Sequence, residues 1–285
     1  MEAGLDAANT LVDLTRASDL AAITPLPDGG WCLGGAARLD DVVAHPELRA
    51  ALPLVVDATN TVGTAALRAM GTVAGNLAQR LRCWYVRSRI RCLKNGGSGC
   101  PAVDGENQYH AILGEGMCRA AHPSDLAVAL LALDAVVVAR GAEGERRLTI
   151  AELYADAATD PRRETVLADR EIIVRVEIPA TACRGEQRFA KLMQRGQWDF
   201  ATVSLAGAKR TDGSVRLVLG GVAAGPWRVN ESVEEDVASG ALDEESAEAL
   251  AARALYDASP LSGNGYKVQQ AATLLRRAML DLSRA

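Results

Sequence analysis

Hydrophobic positions along the chain switch repeatedly between the period of a strand and the period of a helix. The run LVDL at residues 11–14 is a short apolar stretch that predicts a strand. The segment GWCLGGAARLDDVVAHPELRAALPLVVDAT predicts a strand and a turn, then a helix that begins at Leu39. Pro53 suits the first turn of the next helix. Helices and strands are therefore interleaved from the start.

The middle of the chain has clearer signals. HPSDLAVALLALDAVVVARGAEGERRLTIAEL, residues 122–153, predicts a helix capped by Ser124 or Asp125, then a buried strand, a glycine-containing turn and another strand. Arg170–Pro179 is an alternating strand that a proline ends. A polar run follows it, so we expect a domain boundary near residue 180.

A smaller second domain is predicted beyond that boundary. FAKLMQRGQWDFATVSLAGAKR predicts a strand followed by either a helix or a strand, and DGSVRLVLGGVAAGPWRV predicts a hairpin. Two alanine-rich helices are predicted over about residues 243–257 and 264–284. The expected fold class is α+β, with one domain at residues 1–179 and another at 180–285.

Residues 79–118 depart from these patterns. They are rich in Arg, Gly, Asn and Cys and poor in aliphatic residues, so they cannot form an apolar core of their own. Four of the six cysteines lie here: Cys83, Cys92, Cys100 and Cys118. We expect such a segment to be functional or disordered, and a metal centre is one way to order it.

Composition excludes several classes of protein. The charged fraction is 24%, and no apolar run approaches the roughly 20 residues that cross a bilayer, so disorder and membrane insertion are excluded. The net charge is −5 and basic residues are not interleaved with aromatics, so we expect no nucleic-acid partner. The N-terminus lacks the pattern of a secretory signal, so we expect a cytoplasmic protein.

The cysteine spacing favours an iron–sulfur cluster. A reducing cytosol disfavours disulfides, and the 8, 7 and 17 residues between the four cysteines lack the close pairs typical of zinc sites. Thiolates on an irregular, glycine-rich loop can wrap a cubane, and the flanking basic residues favour ligating sulfur. Zinc and chance occurrence stay open as alternatives. Cys32 and Cys183 are expected to be buried, inert thiols.

The three histidines, His45, His110 and His122, form no catalytic pattern with a cysteine and a carboxylate. We therefore expect them to have structural or surface roles.

The run GTVAGNLAQR, residues 71–80, contains a candidate phosphate turn, although for this run alone a plain turn between strand and helix is the favoured interpretation. This run and the segments around it are familiar: LRAMGTVAGNLAQRLRCWYVR, GGSGCPAVDGENQYHAILG and CRAAHPSDLAVALLALDA. Through them the chain resembles the flavin-binding subunits of molybdenum hydroxylases, the xanthine dehydrogenase and carbon monoxide dehydrogenase medium-subunit family. It is most similar to the branch with an extra 4Fe-4S cluster, which includes aldehyde oxidoreductase and 4-hydroxybenzoyl-CoA reductase. The resemblance spans nearly the whole chain.

That resemblance implies a fold and a set of site residues. The fold is a PCMH-type FAD-binding domain with an Fe-S loop inserted at residues 79–118, followed by a CO dehydrogenase flavoprotein C-terminal-like α+β domain. The implied 4Fe-4S ligands are Cys83, Cys92, Cys100 and Cys118. The implied FAD-binding residues are Thr72, Gly75 and Asn76 in the second of two glycine-rich loops, with Asp125 and Lys191 near the flavin. For Lys191, a surface position is the alternative.

The implied function is electron transfer within a heteromeric molybdenum hydroxylase, from Fe-S centres through FAD to an acceptor. The implied partners are a large subunit with the molybdenum cofactor and a small 2Fe-2S subunit. Two departures from the family pattern bear on FAD. Ala74 replaces a glycine, which leaves the backbone less freedom there. Met1 aligns just after the first glycine-rich loop, so either the true chain starts upstream of Met1 or this member is truncated, and without that loop we expect weaker phosphate binding. The alternative function is a non-flavin, Fe-S-bearing structural or repurposed relative.

Overall fold

Two antiparallel sheets covered by helices make up the computed structural model, which describes residues 10–14, 16–114, 116–154, 159–196 and 198–284. The strands in these residues, β1 to β9 in chain order, are Ile23–Pro25, Trp31–Gly34, Val136–Gly141, Gly144–Thr149, Ile172–Ile178, Glu186–Leu192, Val203–Lys209, Val215–Gly220 and Trp227–Arg228.

Eleven α-helices, α1 to α11, lie in the same described residues. They are Leu39–Ala44, Pro46–Ala51, Pro53–Asn60, Ala65–Arg68, Val73–Leu77, Trp84–Arg87, Asp125–Ala132, Ile150–Leu153, Glu231–Ala238, Glu244–Ala254 and Tyr266–Arg284. None of the described helices is long and apolar enough to cross a bilayer.

Several helix starts follow directly from the sequence. Helix α1 begins at Leu39 and α3 at Pro53, as predicted. A proline is tolerated there because the first N–H groups of a helix have no intrahelical partner. Helix α7 is capped by Ser124, whose Oγ accepts a hydrogen bond from the N–H of Ala127 at 3.0 Å. This cap matters for the site because it fixes where Asp125 begins the helix.

The first sheet has the strand order β1-β2-β5-β3-β4. Its central strand β5 is the predicted alternating strand, and it pairs with β2 and β3 on its two sides. The strand predicted at residues 11–14 is wrong. Leu11 is 72% and Val12 77% exposed, and the run has no partner strand to pair with. A short apolar run forms a strand only where a neighbouring strand and a core surface receive it.

The second sheet has the order β6-β7-β8-β9, and its inner strand β7 is buried on both faces. Because side chains alternate between faces, Ala206 and Ala208 of β7 pack into the core around α7. Val203 and Leu205 of the same strand pack into a second core beneath α9, α10 and α11. The two expected helices near the C-terminus are confirmed as α10 and α11.

Residues 79–118 contain only short helical turns, in agreement with their polar composition. Their C-terminal part is nevertheless fixed to the second sheet. The N–H groups of Ile112 and Leu113 donate to the carbonyl of Val222 at 2.8 and 2.9 Å, and both side chains are buried in the second core. The segment therefore passes from the first sheet to the second, and this places the cysteines at their junction.

Candidate functional site

Four cysteines that are distant in sequence line one small cavity. They are Cys83, Cys92, Cys100 and Cys118, and all are free thiols. Tyr85, Val86, Leu93, Lys94, Pro101 and Ala120 complete its wall. We call this space the cysteine cavity. Cys32 and Cys183 do not line it and are half-buried elsewhere.

Glycine at position 97 makes the turn around Cys92 possible. Its N–H donates to the carbonyl of Cys92 at 2.8 Å, and a Cβ at this position would lie 2.7 Å from the nitrogen of Cys92. Real Cβ atoms do not approach backbone so closely, so a larger residue would displace the turn. Gly96 next to it has a φ of +89°, in the left-handed region that favours glycine.

Burial dominates the electrostatics of the thiols. It raises the pKa of Cys83 and of Cys118, and the neighbouring thiols act in the same direction. Backbone N–H groups of Tyr85 and Val86 at Cys83, and of Ala120 at Cys118, act against burial and lower the pKa of these thiols. A bound cation would supply the positive charge that the buried thiolates need.

The basic side chain that acts on these thiols is Lys94, whose ammonium lowers the pKa of Cys118. It is held beside the cavity by the carbonyl of Pro161 at 2.6 Å and the carboxylate of Glu164 at 3.0 Å. Arg87 and Arg89 are exposed. The predicted positive charge at the cysteines thus comes chiefly from one buried lysine.

A larger pocket adjoins the cysteine cavity. Its volume is about 460 Å³, within the range of cofactor sites. Cys83 lines both spaces. Other lining residues are Arg82, Trp84, Tyr109, His110, His122, Pro123, Gln194, Arg195, Asp199 and Phe200. We call this space the aromatic pocket.

Flat rings and cations form much of the wall of this pocket. The ring of Trp84 packs edge-on against those of Tyr109 and His110, at centroid distances of 5.5 and 5.6 Å. The guanidinium of Arg82 lies 5.6 Å from the ring centroid of Phe200. Such a wall suits a planar conjugated ligand that carries negative charge.

Two buried histidines in the pocket wall have unpartnered ring nitrogens. Burial lowers the pKa of His110 to about 4, and that of His122 to about 3, so both are neutral near pH 7. Nδ1 of His110 and Nε2 of His122 lack hydrogen-bond partners. A ligand with polar ring atoms can satisfy such groups.

His110 also reaches the cysteine cavity. Its Nε2 lies 3.4 Å from the sulfur of Cys83. No sequence pattern predicts this contact, because 26 residues separate the two positions and no spacing rule links them.

The predicted phosphate turn caps helix α5. Thr72 Oγ1 accepts from the N–H of Gly75 at 3.1 Å. The N–H groups of Val73 and Ala74 donate to carbonyls of residues 37 and 35 at 2.9 and 2.8 Å. Asn76 is buried, and its Oδ1 accepts from the hydroxyl of Ser124 at 2.5 Å. These amides pair within the chain, so phosphate binding at this turn stays a prediction.

Asp125 and Lys191 pair with each other. Lys191 Nζ lies 2.8 Å from Asp125 Oδ2, and the two side chains are 3% and 5% exposed. The surface alternative for Lys191 is therefore wrong. Neither residue lines the aromatic pocket. Their contact with a flavin stays a prediction.

Both halves of the chain match family models. Residues 1–181 match the FAD binding domain in molybdopterin dehydrogenase, and residues 188–282 match the CO dehydrogenase flavoprotein C-terminal domain. The chain belongs to the FAD-binding subunits of the molybdenum hydroxylases. This confirms the resemblance and the fold class expected from sequence.

Relatives in this family include the aldehyde oxidoreductase FAD-binding subunit PaoB of Escherichia coli. It is 36% identical over 249 residues, which cover 84% of this chain and 74% of the relative. The glyceraldehyde dehydrogenase medium chain of Sulfolobus acidocaldarius is 23% identical over 88% of this chain and 74% of its own length.

Solved structures of the family share the fold. A chain of carbon monoxide dehydrogenase from Hydrogenophaga pseudoflava superposes with a TM-score of 0.69 at 20% identity, covering 95% of this chain and 80% of that chain. Quinoline 2-oxidoreductase from Pseudomonas putida gives 0.67 at 18% identity, covering 94% and 79%.

Proposed function

We propose that this chain is the electron-transfer subunit of a heteromeric molybdenum hydroxylase and holds both FAD and a 4Fe-4S cluster. Membership of the FAD-binding family supports the flavin. The proposal of the cluster rests on the observation that four free thiols line one cavity. Bound FAD would supply exchange of one or two electrons, and the chain's own residues would hold and tune the cofactors.

In the part of the chain that the structure describes, no group of three or more His, Cys, Asp or Glu side chains is placed to hold a metal ion. The proposal of a cluster therefore rests on the four free thiols that line one cavity. A cubane binds each thiolate at a separate iron, so its ligands surround a space instead of meeting at a point. Cys83, Cys92, Cys100 and Cys118 are therefore proposed as the 4Fe-4S ligands.

The aromatic pocket is the proposed site of the flavin ring. Its volume and its aromatic and cationic wall support this assignment. Thr72, Gly75 and Asn76 are proposed to bind the phosphate side of FAD. A phosphate there would replace Thr72 Oγ1 as the partner of the Gly75 amide.

Asp125 and Lys191 are proposed to support the wall of the flavin site at the start of helix α7. Asp125 follows directly on His122–Ser124, the segment that enters the pocket wall. The buried ion pair fixes the start of that helix, so a shift of the pair would displace the wall.

Cys83 lines both spaces, which makes the shared wall the proposed route of electrons between cluster and flavin.

Residues 1–179 and 180–285 are proposed as the two domains, with the Fe-S loop at 79–118. The proposed partners are a large molybdenum-cofactor subunit and a small 2Fe-2S subunit. A reducing cytoplasm is the proposed setting, because free cysteines persist there.

Replacing one proposed ligand tests the cluster. Cys100→Ser in the full chain, purified without oxygen, should lose most of its iron and acid-labile sulfide because one thiolate corner is missing. Cys32→Ser is the matched control, since Cys32 lies on β2 and does not line the cavity, and its iron content should equal that of the wild type. Unchanged iron in Cys100→Ser would show that the ligand assignment is wrong.

A further inference from the structure

The loop that carries His110 is held by the start of the C-terminal helix. Tyr266 Oη donates to the carbonyl of Gln108 at 2.8 Å. Asn264 Nδ2 donates to the carbonyls of His110 and Ala111 at 3.1 and 3.2 Å. We call residues 261–267 the loop clamp.

Lys267 is the most unusual member of the loop clamp, because its side chain is fully buried. Its Nζ donates to the carbonyls of His110 at 2.8 Å, Gly221 at 2.6 Å and Tyr109 at 3.3 Å. Three acceptors match the three N–H groups of an ammonium, and a buried cation is tolerated only with such partners. The clamp therefore fixes the backbone of His110 in one place.

The side chain of His110 then has little freedom. Its ring packs against those of Trp84 and Tyr85, at centroid distances of 5.6 and 6.0 Å. Nε2 lies 3.4 Å from the sulfur of Cys83, and the residue is 3% exposed. A metal-bound thiolate carries no proton and can only accept a hydrogen bond. With a metal bound to Cys83, the proton of this hydrogen bond therefore lies on Nε2 of His110.

We propose that His110 is a positioning residue that donates an N–H···S hydrogen bond to Cys83 and thereby raises the reduction potential of the cluster. The proposal rests on the proposed function, since it requires Cys83 to be a cluster ligand. The reduced cluster carries one more negative charge, part of it on the sulfur ligands, so a donor to sulfur stabilises the reduced form more than the oxidised form. His110 also lines the aromatic pocket, so it fixes the one cysteine that both spaces share.

A redox titration of the full chain with its cluster, followed by electron paramagnetic resonance, tests this role. His110→Leu removes the donor and should disfavour the reduced form by up to about tenfold, a shift of about 59 mV to more negative potential for one electron. His110→Gln can place an amide N–H near the position of Nε2 and should retain most of the wild-type potential. His45→Leu is the control, a histidine that lines neither the aromatic pocket nor the cysteine cavity, and should leave the cluster potential unchanged.

The outcomes separate this proposal from the proposed function. A wild type without iron or sulfide would overturn the cluster itself. A His110→Leu protein with full iron content and an unchanged potential would overturn the role of His110 and leave the cluster standing. Should His110→Leu not fold, His110→Asn, whose amide reaches only the position of Nδ1, replaces it, and equal potentials for the Gln and Asn variants would overturn the proposal.

Discussion

Removing one member of the Asp125–Lys191 pair should cost several kcal/mol of folding free energy. The charged atoms are 2.8 Å apart and both side chains are nearly inaccessible to water. Lys191→Met preserves the aliphatic stem but leaves a buried carboxylate without its cation. Breaking a buried pair in this way costs about 3–5 kcal/mol, because the remaining charge is desolvated and uncompensated.

The double variant Asp125→Asn/Lys191→Met separates the pair from its members. With neither charge present, no uncompensated charge stays buried, so the double variant should be more stable than the sum of the single effects by about 1–3 kcal/mol. Urea unfolding of the full chain gives these free energies from the midpoint and slope. Arg49→Met is the matched control, because Arg49 and Asp57 form an exposed pair at 3.3 Å and its loss should cost less than about 1 kcal/mol.

The pH dependence gives a further check on the same variant. Burial raises the pKa of Asp125, and Lys191 opposes this effect. Without Lys191 the folded carboxyl takes up a proton more readily than the unfolded one, so the deficit of Lys191→Met should shrink as the pH falls toward the ordinary carboxyl range near 4. A Lys191→Met effect as small as that of Arg49→Met, or zero coupling in the cycle, would refute a structural role for the pair.

Two further variants test the pocket wall and the cysteine turn. Burial lowers the pKa of His122 to about 3, below its ordinary value of 6.5, so the unfolded chain binds the proton first. The free energy of unfolding should therefore fall by about 1.4 kcal/mol per pH unit below pH 6.5. His122→Asn should make this fall less steep when urea unfolding is measured at several pH values, and an unchanged slope would contradict the expectation. Gly97→Ala should lose iron because its Cβ would meet the backbone of Cys92 at 2.7 Å, whereas Gly99→Ala, with nothing within 4 Å, should keep it; equal iron contents would count against the turn geometry.

Much of the fold could be predicted from local pattern. Helix α7 has a Ser124 cap and an apolar run from Leu126 to Ala132, and β5 alternates between buried and half-buried positions from Val174 to Ile178, so each signal agrees with its final environment. Helix α9 was missed because its sequence ESVEEDVA offers only Val233 and Val237 to the core. The strand predicted at residues 11–14 is wrong for the opposite reason: its apolar pattern is clear, but no strand in the described residues pairs with it.

Candidate site residues could be predicted only where residues of one chemical type lie close together in the sequence. Four cysteines in a glycine-rich segment predict a metal centre from their residue type and spacing; the structure brings them around one cavity, and the metal centre stays a prediction. The aromatic pocket has walls from residues 82–84, 109–110, 120–123, 194–195, 199–202 and 221, which only the fold brings together. The contact between Lys267 and the carbonyl of His110 joins positions 157 residues apart, so no local rule could reveal it.

The cofactor content of the full chain decides whether the protein holds both a flavin and an iron–sulfur cluster. Protein purified without oxygen would be assayed for iron, acid-labile sulfide, zinc and flavin, before and after incubation with FAD. We expect one FAD together with about four irons and four sulfides per chain. Flavin without iron, or one zinc per chain in place of iron, would contradict the cluster. Iron and sulfide with no flavin even after incubation would contradict the flavin site.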